Sequence, residues 1–164
     1  MNETDAIVHA LGEALRRAGL TLASAESCTG GMIAAACTGV AGSSDWFERG
    51  FVTYSNAAKT ELLGVASTLI AAHGAVSDEV ARAMAEGALV HSHAQLAVAV
   101  TGIAGPGGGS PGKPVGTVWM ALARGGTATR SELLQLRGDR RSIREQTVRA
   151  ALARLLETAQ AAAV

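Results

Sequence analysis

The feature that most constrains the fold is an alternation of short strand-like segments with segments that show helical spacing. Residues 21–25, 50–55 and 96–101 are short and either apolar or rich in β-branched and aromatic side chains, which is typical of strands. Helices are predicted over residues 5–18 and after a cap at Ser77. Strands that alternate with helices form a largely parallel sheet covered by helices.

The C-terminal part of the chain predicts a hairpin and a final helix. Residues 115–123 and 129–136 are strand-like and flank Gly125-Gly126, a dipeptide typical of a tight hairpin turn. Asp139 starts the last predicted helix, which is amphipathic through Ile143, Val148, Leu152 and Leu155. The whole pattern predicts one domain over residues 1–164, a three-layer α/β/α fold with a mixed, mostly parallel sheet of about five strands.

Composition excludes several classes of protein. Apolar residues make up 48% and charged residues 17%, which is too apolar for a disordered chain. The net charge is zero and aromatics are 3%, so we expect no nucleic-acid partner. No run reaches the roughly 18 to 20 apolar residues of a membrane span. The N-terminus is acidic and polar rather than a signal peptide, so we expect a cytoplasmic protein with no membrane partner.

Ligands of open α/β sheets bind beyond the carboxyl ends of the parallel strands, so the three strand exits are the candidate sites. The first exit is the run Glu26-Ser27-Cys28-Thr29-Gly30-Gly31, followed by a helix predicted over 30–37. A serine here resembles a nucleophile elbow without its G-x-S-x-G pattern, and free N–H groups at a helix start can hold an oxyanion. The alternative is that Ser27 only caps the helix and the glycines only allow close packing.

The second exit is the run Tyr54-Ser55-Asn56-Ala57-Ala58-Lys59, in which Asn56 is predicted to cap a short helix. Lys59 and Lys113 are the two lysines of the chain, against 12 arginines. Burial can lower the pKa of a lysine enough for it to act as a base, which arginine cannot do. Ser27 and Lys59 would form a Ser–Lys dyad if they met. The alternative is an exposed lysine on a short helix.

The third exit runs from Thr101 through a loop that holds six of the 20 glycines and all three prolines. Glycines let backbone approach a ligand closely, although a flexible surface loop is an equal interpretation. Three arginines at the start of the last helix, Arg140, Arg141 and Arg144, oppose the helix dipole. They indicate either a phosphate site or a solvated face balanced by nearby acids.

Other chemistries have weaker support. A Cys28 thiol at a helix start is a possible nucleophile, but a cysteine enzyme usually needs a histidine base. The four histidines, His9, His73, His91 and His93, lie at none of the strand exits. The chain has no H-x-x-x-H or C-x-x-C pair, so we expect neither a metal nor another cofactor.

Long motifs give the chain a family resemblance. They are A-E-S-C-T-G-G (25–31), G-S-S-x-W-F-x-R-G-F-V-T-Y-S-N-x-A-K (42–59), H-G-A-V-S (73–77), T-G-I-A-G-P-x-G-G (101–109), K-P-V-G-T-V-W (113–119) and G-D-R (138–140). Together they resemble the C-terminal domain of the competence/damage-inducible protein CinA over roughly residues 5–157. The resemblance implies hydrolysis of the carboxamide of nicotinamide mononucleotide to nicotinic acid mononucleotide and ammonia, in pyridine nucleotide recycling. It also implies a metal-free Ser/Lys amidohydrolase, with Ser27 and Lys59 at the motif positions.

Further site residues are our own inference. The Thr101 hydroxyl is expected to help the backbone N–H groups of the first exit to hold the oxyanion, and Arg140 is expected to bind the phosphate. The remaining expected substrate-binding residues are Cys28, Thr29, Gly30, Gly31, Tyr54, Ser55, Asn56, Gly102, Ala104 and Gly105.

Three questions stay open at this stage. A rival hypothesis is a non-catalytic nucleotide-binding or partner module linked to competence or DNA damage. A second keeps the chemistry and changes the substrate to another small carboxamide. We also expect a homodimer, because a small domain with apolar surface often self-associates.

Overall fold

A computed structural model describes residues 1–163. The strands are β1 Leu22–Glu26, β2 Phe47–Val52, β3 Leu96–Gly102, β4 Thr117–Arg124 and β5 Arg130–Gln135. The helices are α1 Glu3–Ala18, α2 Met32–Thr38, α3 Asn56–Leu63, α4 Ser67–His73, α5 Asp78–Val90 and α6 Arg140–Ala162, with a 3₁₀ turn at Ser43–Asp45.

The five strands form one mixed sheet in the order β2-β1-β3-β4-β5. Strand β1 pairs in parallel with β2 and β3, while β4 pairs antiparallel with both β3 and β5. Four strands therefore point the same way and β4 alone is reversed, so the predicted mixed, mostly parallel sheet is confirmed. Glu26, at the end of β1, pairs with Val52 at the end of β2.

Helices cover both faces of the sheet, which makes three layers. Large side chains of the strands, such as Leu22, Val98 and Val100, pack with α1, α2 and α6. Small side chains, such as Ala23 and Ala97, face α5 on the other side. Successive strand residues point to opposite faces of the sheet. One face therefore carries the large side chains and the other carries the small ones.

Helix α5 lies close to the sheet and to α3. Its inward face is built from Ala81, Ala85 and Ala88, all fully buried. Gly87 has no side chain, and an ideal Cβ there would lie 2.0 Å from the carbonyl oxygen of Leu63, the last residue of α3. This contact sets how near the end of α3 can approach α5.

The predicted cap at Ser77 and the predicted hairpin are confirmed, and the last helix, predicted to start at Asp139, begins at Arg140 with Asp139 as its cap. Ser77 accepts a bond from Val80 N–H, and Asp139 accepts one from Ser142 N–H. Gly126 has φ +80°, the positive value that a tight hairpin turn between β4 and β5 favours. Within residues 1–163 no helix combines the length and the apolar character needed to cross a membrane.

Three details of the prediction were wrong. Strand β2 ends at Val52 rather than at residue 55, because Ser55 is already the cap of α3. Asn56, predicted as that cap, is instead the first residue of the helix. Helix α4 was not predicted, since its cap, Ala66, carries no polar side chain that marks a helix start.

Candidate active site

Ser27 and Lys59 meet at the carboxyl edge of the sheet. Lys59 Nζ lies 3.1 Å from Ser27 Oγ, across 32 positions of sequence. Ser27 follows β1, and its N–H donates to Val100 O at the end of β3. Lys59 belongs to the first turns of α3, and its side chain is only 1% exposed. The parallel pairing of β1 with β2 therefore brings the first and second exits together, and the alternative of an exposed lysine is wrong.

The surroundings of Lys59 favour the neutral amine. Its Nζ donates to Thr53 O at 3.0 Å and to Tyr54 O at 3.2 Å. A neutral amine has two N–H bonds and one lone pair. With both N–H bonds on these carbonyls, the lone pair is left for the Ser27 hydroxyl. Burial lowers the pKa of Lys59 from its usual 10.5.

A cavity of about 250 Å³ opens beside the pair. It is lined by Ser27, Cys28, Tyr54, Asn56, Lys59, Ala75, Val76, Thr101, Gly102, Ala104 and Arg140. Among the described residues that line this cavity, Lys59 and Arg140 are those whose side chains can carry a positive charge. None of these lining residues is Asp or Glu. The charge of this cavity therefore suits an anionic ligand.

The turn after Ser27 is held from beneath by Glu26. The Glu26 carboxylate is fully buried and accepts bonds from Thr29 Oγ1 at 2.5 Å, Ile33 N–H at 2.8 Å and Ala34 N–H at 3.1 Å. These N–H groups belong to the start of α2, where the helix dipole favours a negative charge. The side chain of Thr29, predicted to bind substrate, is buried outside the cavity, and its hydroxyl fastens the turn instead.

Cys28 lines the cavity but is a poor nucleophile. Burial raises the pKa of its thiol to about 11, more than the nearby backbone N–H and the charges of Arg144 and Lys59 lower it. A thiol with this pKa carries almost no thiolate at neutral pH. Within residues 1–163 no histidine lines the cavity, and the basic side chain beside Ser27 is Lys59.

Several predicted binding residues lie outside the cavity. Gly30 donates its N–H to Ser27 O and adopts φ +59°, so it shapes the turn. Gly31 takes φ +105° at the start of α2. Ser55 caps α3 by accepting a hydrogen bond from Ala58 N–H. The carbonyl oxygen of Gly105 accepts a hydrogen bond from Arg140, which lines the cavity. Tyr54, Asn56, Gly102 and Ala104 do line the cavity, as predicted.

Thr101 lines the cavity, but its hydroxyl is already used. Its Oγ1 donates to Ala75 O at 2.9 Å, so the proton is not directed at an oxyanion beside Ser27. Ala75 and Val76, which the sequence analysis missed, form the wall opposite this strand. They precede the Ser77 cap of α5, and the motif H-G-A-V-S was the only signal that marked them.

The three arginines of α6 have three different environments. Arg140 is exposed at the rim, where it donates to Gly105 O at 2.8 Å and to Tyr54 Oη at 3.3 Å. Arg141 pairs with Glu145 on the outer surface. Arg144 is half-buried and donates to Cys28 O at 3.0 Å and to Thr29 O at 3.3 Å. The arginine face is therefore partly a component of the site and partly solvated.

No metal site accompanies this arrangement. In the part of the chain that the structure describes, no group of three or more His, Cys, Asp and Glu side chains is placed to hold a metal ion. The residues beside Ser27 instead supply a hydroxyl, an amine and backbone groups, which is the donor set of a serine amidohydrolase.

A serine hydroxyl beside a buried lysine, at the strand ends of an α/β domain, is an arrangement that Ser/Lys hydrolases use. The comparisons with known proteins identify the family: residues 4–159 match the CinA C-terminal domain, and the chain belongs to that family. A relative from Pseudomonas putida named nicotinamide-nucleotide amidohydrolase PncC is 58% identical over 147 residues, covering 90% of this chain and 91% of that protein.

Two further comparisons show how far the similarity to known proteins extends. A protein from Symbiobacterium thermophilum named putative competence-damage inducible protein is 54% identical over 160 residues, but the match covers 93% of this chain and only 38% of that protein. The crystal structure of a competence/damage inducible protein from Agrobacterium tumefaciens superposes with a TM-score of 0.93 at 44% identity, covering 96% of both chains. The fold is thus that of the CinA family, whose longer members contain much more than this domain.

Proposed function

We propose that this chain hydrolyses the carboxamide of nicotinamide mononucleotide to nicotinic acid mononucleotide and ammonia, as a step of pyridine nucleotide recycling. The observation that carries the proposal is the buried pair of Ser27 and Lys59, 3.1 Å apart, in a cavity that Arg140 lines and, within residues 1–163, no carboxylate lines. The relative named nicotinamide-nucleotide amidohydrolase, which matches this chain nearly end to end, supports the choice of amide.

The reaction begins with a proton transfer from Ser27 to Lys59. Neutral Lys59 accepts the hydroxyl proton while Ser27 Oγ forms a bond to the amide carbon, which gives a tetrahedral oxyanion. Lys59 then returns the proton to the amide nitrogen, the C–N bond breaks, and ammonia leaves. Water attacks the resulting acyl-serine with Lys59 as base again, which releases the carboxylate and restores Ser27.

Backbone N–H groups of the turn after Ser27 are suited to hold the oxyanion. The N–H groups of Cys28 and Thr29 donate to no other residue within residues 1–163. Cys28 is 6% exposed and Thr29 is fully buried, and buried N–H groups are rarely left unpaired. The N–H of the residue after a serine nucleophile is also where oxyanion donors occur in other hydrolases.

The phosphate is assigned to the rim at Arg140. Its guanidinium bonds only a carbonyl and a phenol, Gly105 O and Tyr54 Oη, both of which an anionic phosphate would outcompete. Tyr54 is 62% exposed, so its ring offers a flat face at the mouth of the cavity. This places the nucleotide with its pyridine inward and its phosphate outward.

The wider biological assignments follow the same proposal. The chain acts as one domain on a small nucleotide rather than on nucleic acid, which its zero net charge supports. It forms a homodimer, supported by the exposed apolar side chains Val52 and Leu62, and light scattering of the purified protein tests this. Cys28 and Cys37 are free thiols, which fits the cytoplasm.

Ammonia release from nicotinamide mononucleotide by protein treated with a chelator tests the function. We expect activity in the wild type, its loss in Ser27→Ala and in Lys59→Ala, and normal activity in Lys113→Ala. Lys113 is the other lysine of the chain and bonds only His73 O, away from the cavity, so it is the matched control.

Two outcomes would contradict the proposal. A wild type that hydrolyses other carboxamides but not this nucleotide would change the substrate. A wild type inactive on a panel of amides, yet able to bind nucleotides, would favour the non-catalytic module.

A further inference from the structure

Arg144 reaches the nucleophile turn from a distant part of the chain. It lies in the second turn of α6, and its Nε and Nη2 donate to the carbonyl oxygens of Cys28 and Thr29, which are 116 and 115 residues away. The side chain is half-buried, and within residues 1–163 no carboxylate lies within ion-pair distance of it. An arginine with no acidic partner, whose contacts are carbonyls of the catalytic turn, needs a reason other than an ion pair.

The geometry of a peptide unit supplies that reason. A trans peptide is planar, so its carbonyl and the N–H of the next residue point in opposite directions. A bond from Arg144 to Cys28 O therefore fixes the direction of Thr29 N–H, one of the two unpaired donors of the turn. The Ser27 carbonyl is fixed in the same way by Gly30 N–H, and this directs the other unpaired donor, Cys28 N–H.

Charge adds to this orientation. A guanidinium on a carbonyl oxygen draws electron density toward that oxygen, which makes the N–H of the same peptide unit a stronger donor. Glu26 holds the opposite side of the turn through Thr29 Oγ1 and the first N–H groups of α2. The turn is thus fastened between a buried carboxylate and a guanidinium, with its unpaired N–H groups left free for a ligand.

We propose that Arg144 is a positioning residue for the oxyanion site: its bond to Cys28 O aims and polarises Thr29 N–H, and its bond to Thr29 O supports Gly30 N–H, which holds Ser27 O and so directs Cys28 N–H. These two N–H groups, of Cys28 and Thr29, stabilise the tetrahedral intermediate at Ser27. The reaction in this inference rests on the proposed function, whereas the contacts of Arg144 with the turn do not. Arg144 touches no substrate in this scheme, so its loss affects the transition state and leaves ground-state binding nearly unchanged.

The test compares Arg144→Gln and Arg144→Lys with Arg141→Gln. Arg141 lies on the same helix, and its side-chain partner is the exposed Glu145, so it is a matched control. For Arg144→Gln we expect kcat for nicotinamide mononucleotide to fall by about 10- to 100-fold, less than the loss seen when an oxyanion donor itself is deleted, with KM within about twofold. Arg144→Lys keeps the charge and recovers part of kcat, and Arg141→Gln matches the wild type.

A second readout separates positioning from mere stability. Pyridine-3-boronic acid forms a tetrahedral adduct when the serine oxygen bonds to boron and the serine proton passes to Lys59. We expect Arg144→Gln to weaken this probe by the same factor as kcat/KM, while the affinity for nicotinic acid mononucleotide stays within about twofold. Thermal melting shows that each variant is folded at the assay temperature.

The results that overturn the inference are distinct from those that overturn the function. Unchanged kcat and boronate affinity in Arg144→Gln would refute the positioning role, as would equal losses for boronate and product. If the wild type releases no ammonia from nicotinamide mononucleotide, the proposed function fails, and boronate affinities of wild type, Ser27→Ala and Arg144→Gln still decide the role of Arg144. Boronate that binds the wild type no better than Ser27→Ala would refute the oxyanion site itself.

Discussion

Gly87 links the packing of the domain to the position of its catalytic base. A methyl group at this position would lie 2.0 Å from Leu63 O, 3.0 Å from Leu63 C and 3.1 Å from Leu63 Cβ. Side-chain Cβ atoms do not come within 3.0 Å of such groups, so the end of α3 would have to move away by about 1 Å. Lys59 lies one turn before Leu63 on that helix, and it would move as well.

The substitution Gly87→Ala has two opposing effects on stability. Alanine in a helix interior gains about 1 kcal/mol over glycine, whereas forcing extra atoms into a packed interior costs typically about 1 to 3 kcal/mol. The clash here is with backbone, which cannot turn aside as a side chain can, so the upper part of that range applies. We expect a net loss of about 1 to 2 kcal/mol, which lowers Tm by roughly 2 to 8 °C in a domain of this size.

The same shift separates the catalytic pair. A displacement of 1 Å between reacting groups can cost about 100-fold in rate. We therefore expect Gly87→Ala to lower kcat by about 10- to 100-fold at a temperature where it is folded. Thermal melting and ammonia release measure the two effects, with Gly112→Ala as the control, because Gly112 has nothing within 4 Å and no positive φ. A Gly87→Ala protein as stable and as active as the wild type would show that α3 does not set the position of Lys59.

Four further predictions concern charged and titratable groups. Because burial lowers the pKa of Lys59, kcat/KM should rise with pH through that lowered value and then level off. A kcat/KM that does not rise with pH would contradict Lys59 as the base. The unfolded chain binds the Lys59 proton more readily, so wild-type stability should rise with pH between the lowered pKa and 10.5, and urea unfolding of Lys59→Met should lack that rise. Cys28, with its pKa raised to about 11, should react slowly with a thiol reagent at pH 7, and Cys28→Ala should keep most activity in the ammonia assay. Glu26→Gln replaces one acceptor oxygen with a donor facing the N–H groups of Ile33 and Ala34, so urea unfolding should show a loss of about 1 to 3 kcal/mol, and an unchanged midpoint would refute the clamp.

The site was predictable to the extent that it follows from strand topology. Ser27 follows β1, Lys59 lies in the helix after β2, and Thr101 is near the end of β3. The carboxyl ends of parallel strands share one edge of the sheet, so these residues were expected at the same edge. The role of Thr101 was not predictable, because its partner, Ala75 O, comes from a connection whose path the sequence pattern does not specify. The same holds for Arg144, whose bonds to the nucleophile turn cross more than a hundred positions.

Local signals set the limits of the fold prediction. The cap at Ser77 and the start of the last helix near Asp139 were predicted correctly, whereas α4, which begins at Ser67 after the apolar cap Ala66, was missed. Two adjacent residues, Ser55 and Asn56, can both cap a helix by chemistry, and only the position where β2 leaves the sheet decides between them.

The base of this site is supported by its own stretch of chain. The two carbonyls that hold Lys59 Nζ belong to Thr53 and Tyr54, six and five residues before it, so one short segment carries both the amine and its support. Only one long-range relation is needed to complete the pair, the alignment of Glu26 with Val52 at the ends of two neighbouring strands. A slip of that alignment by a single residue would turn the side chains of β2 to the opposite faces and carry the whole segment away from Ser27. The contact between Ser27 and Lys59 therefore depends on the register of β1 and β2. Measured activity can serve as a sensitive test of whether this edge of the sheet has formed correctly.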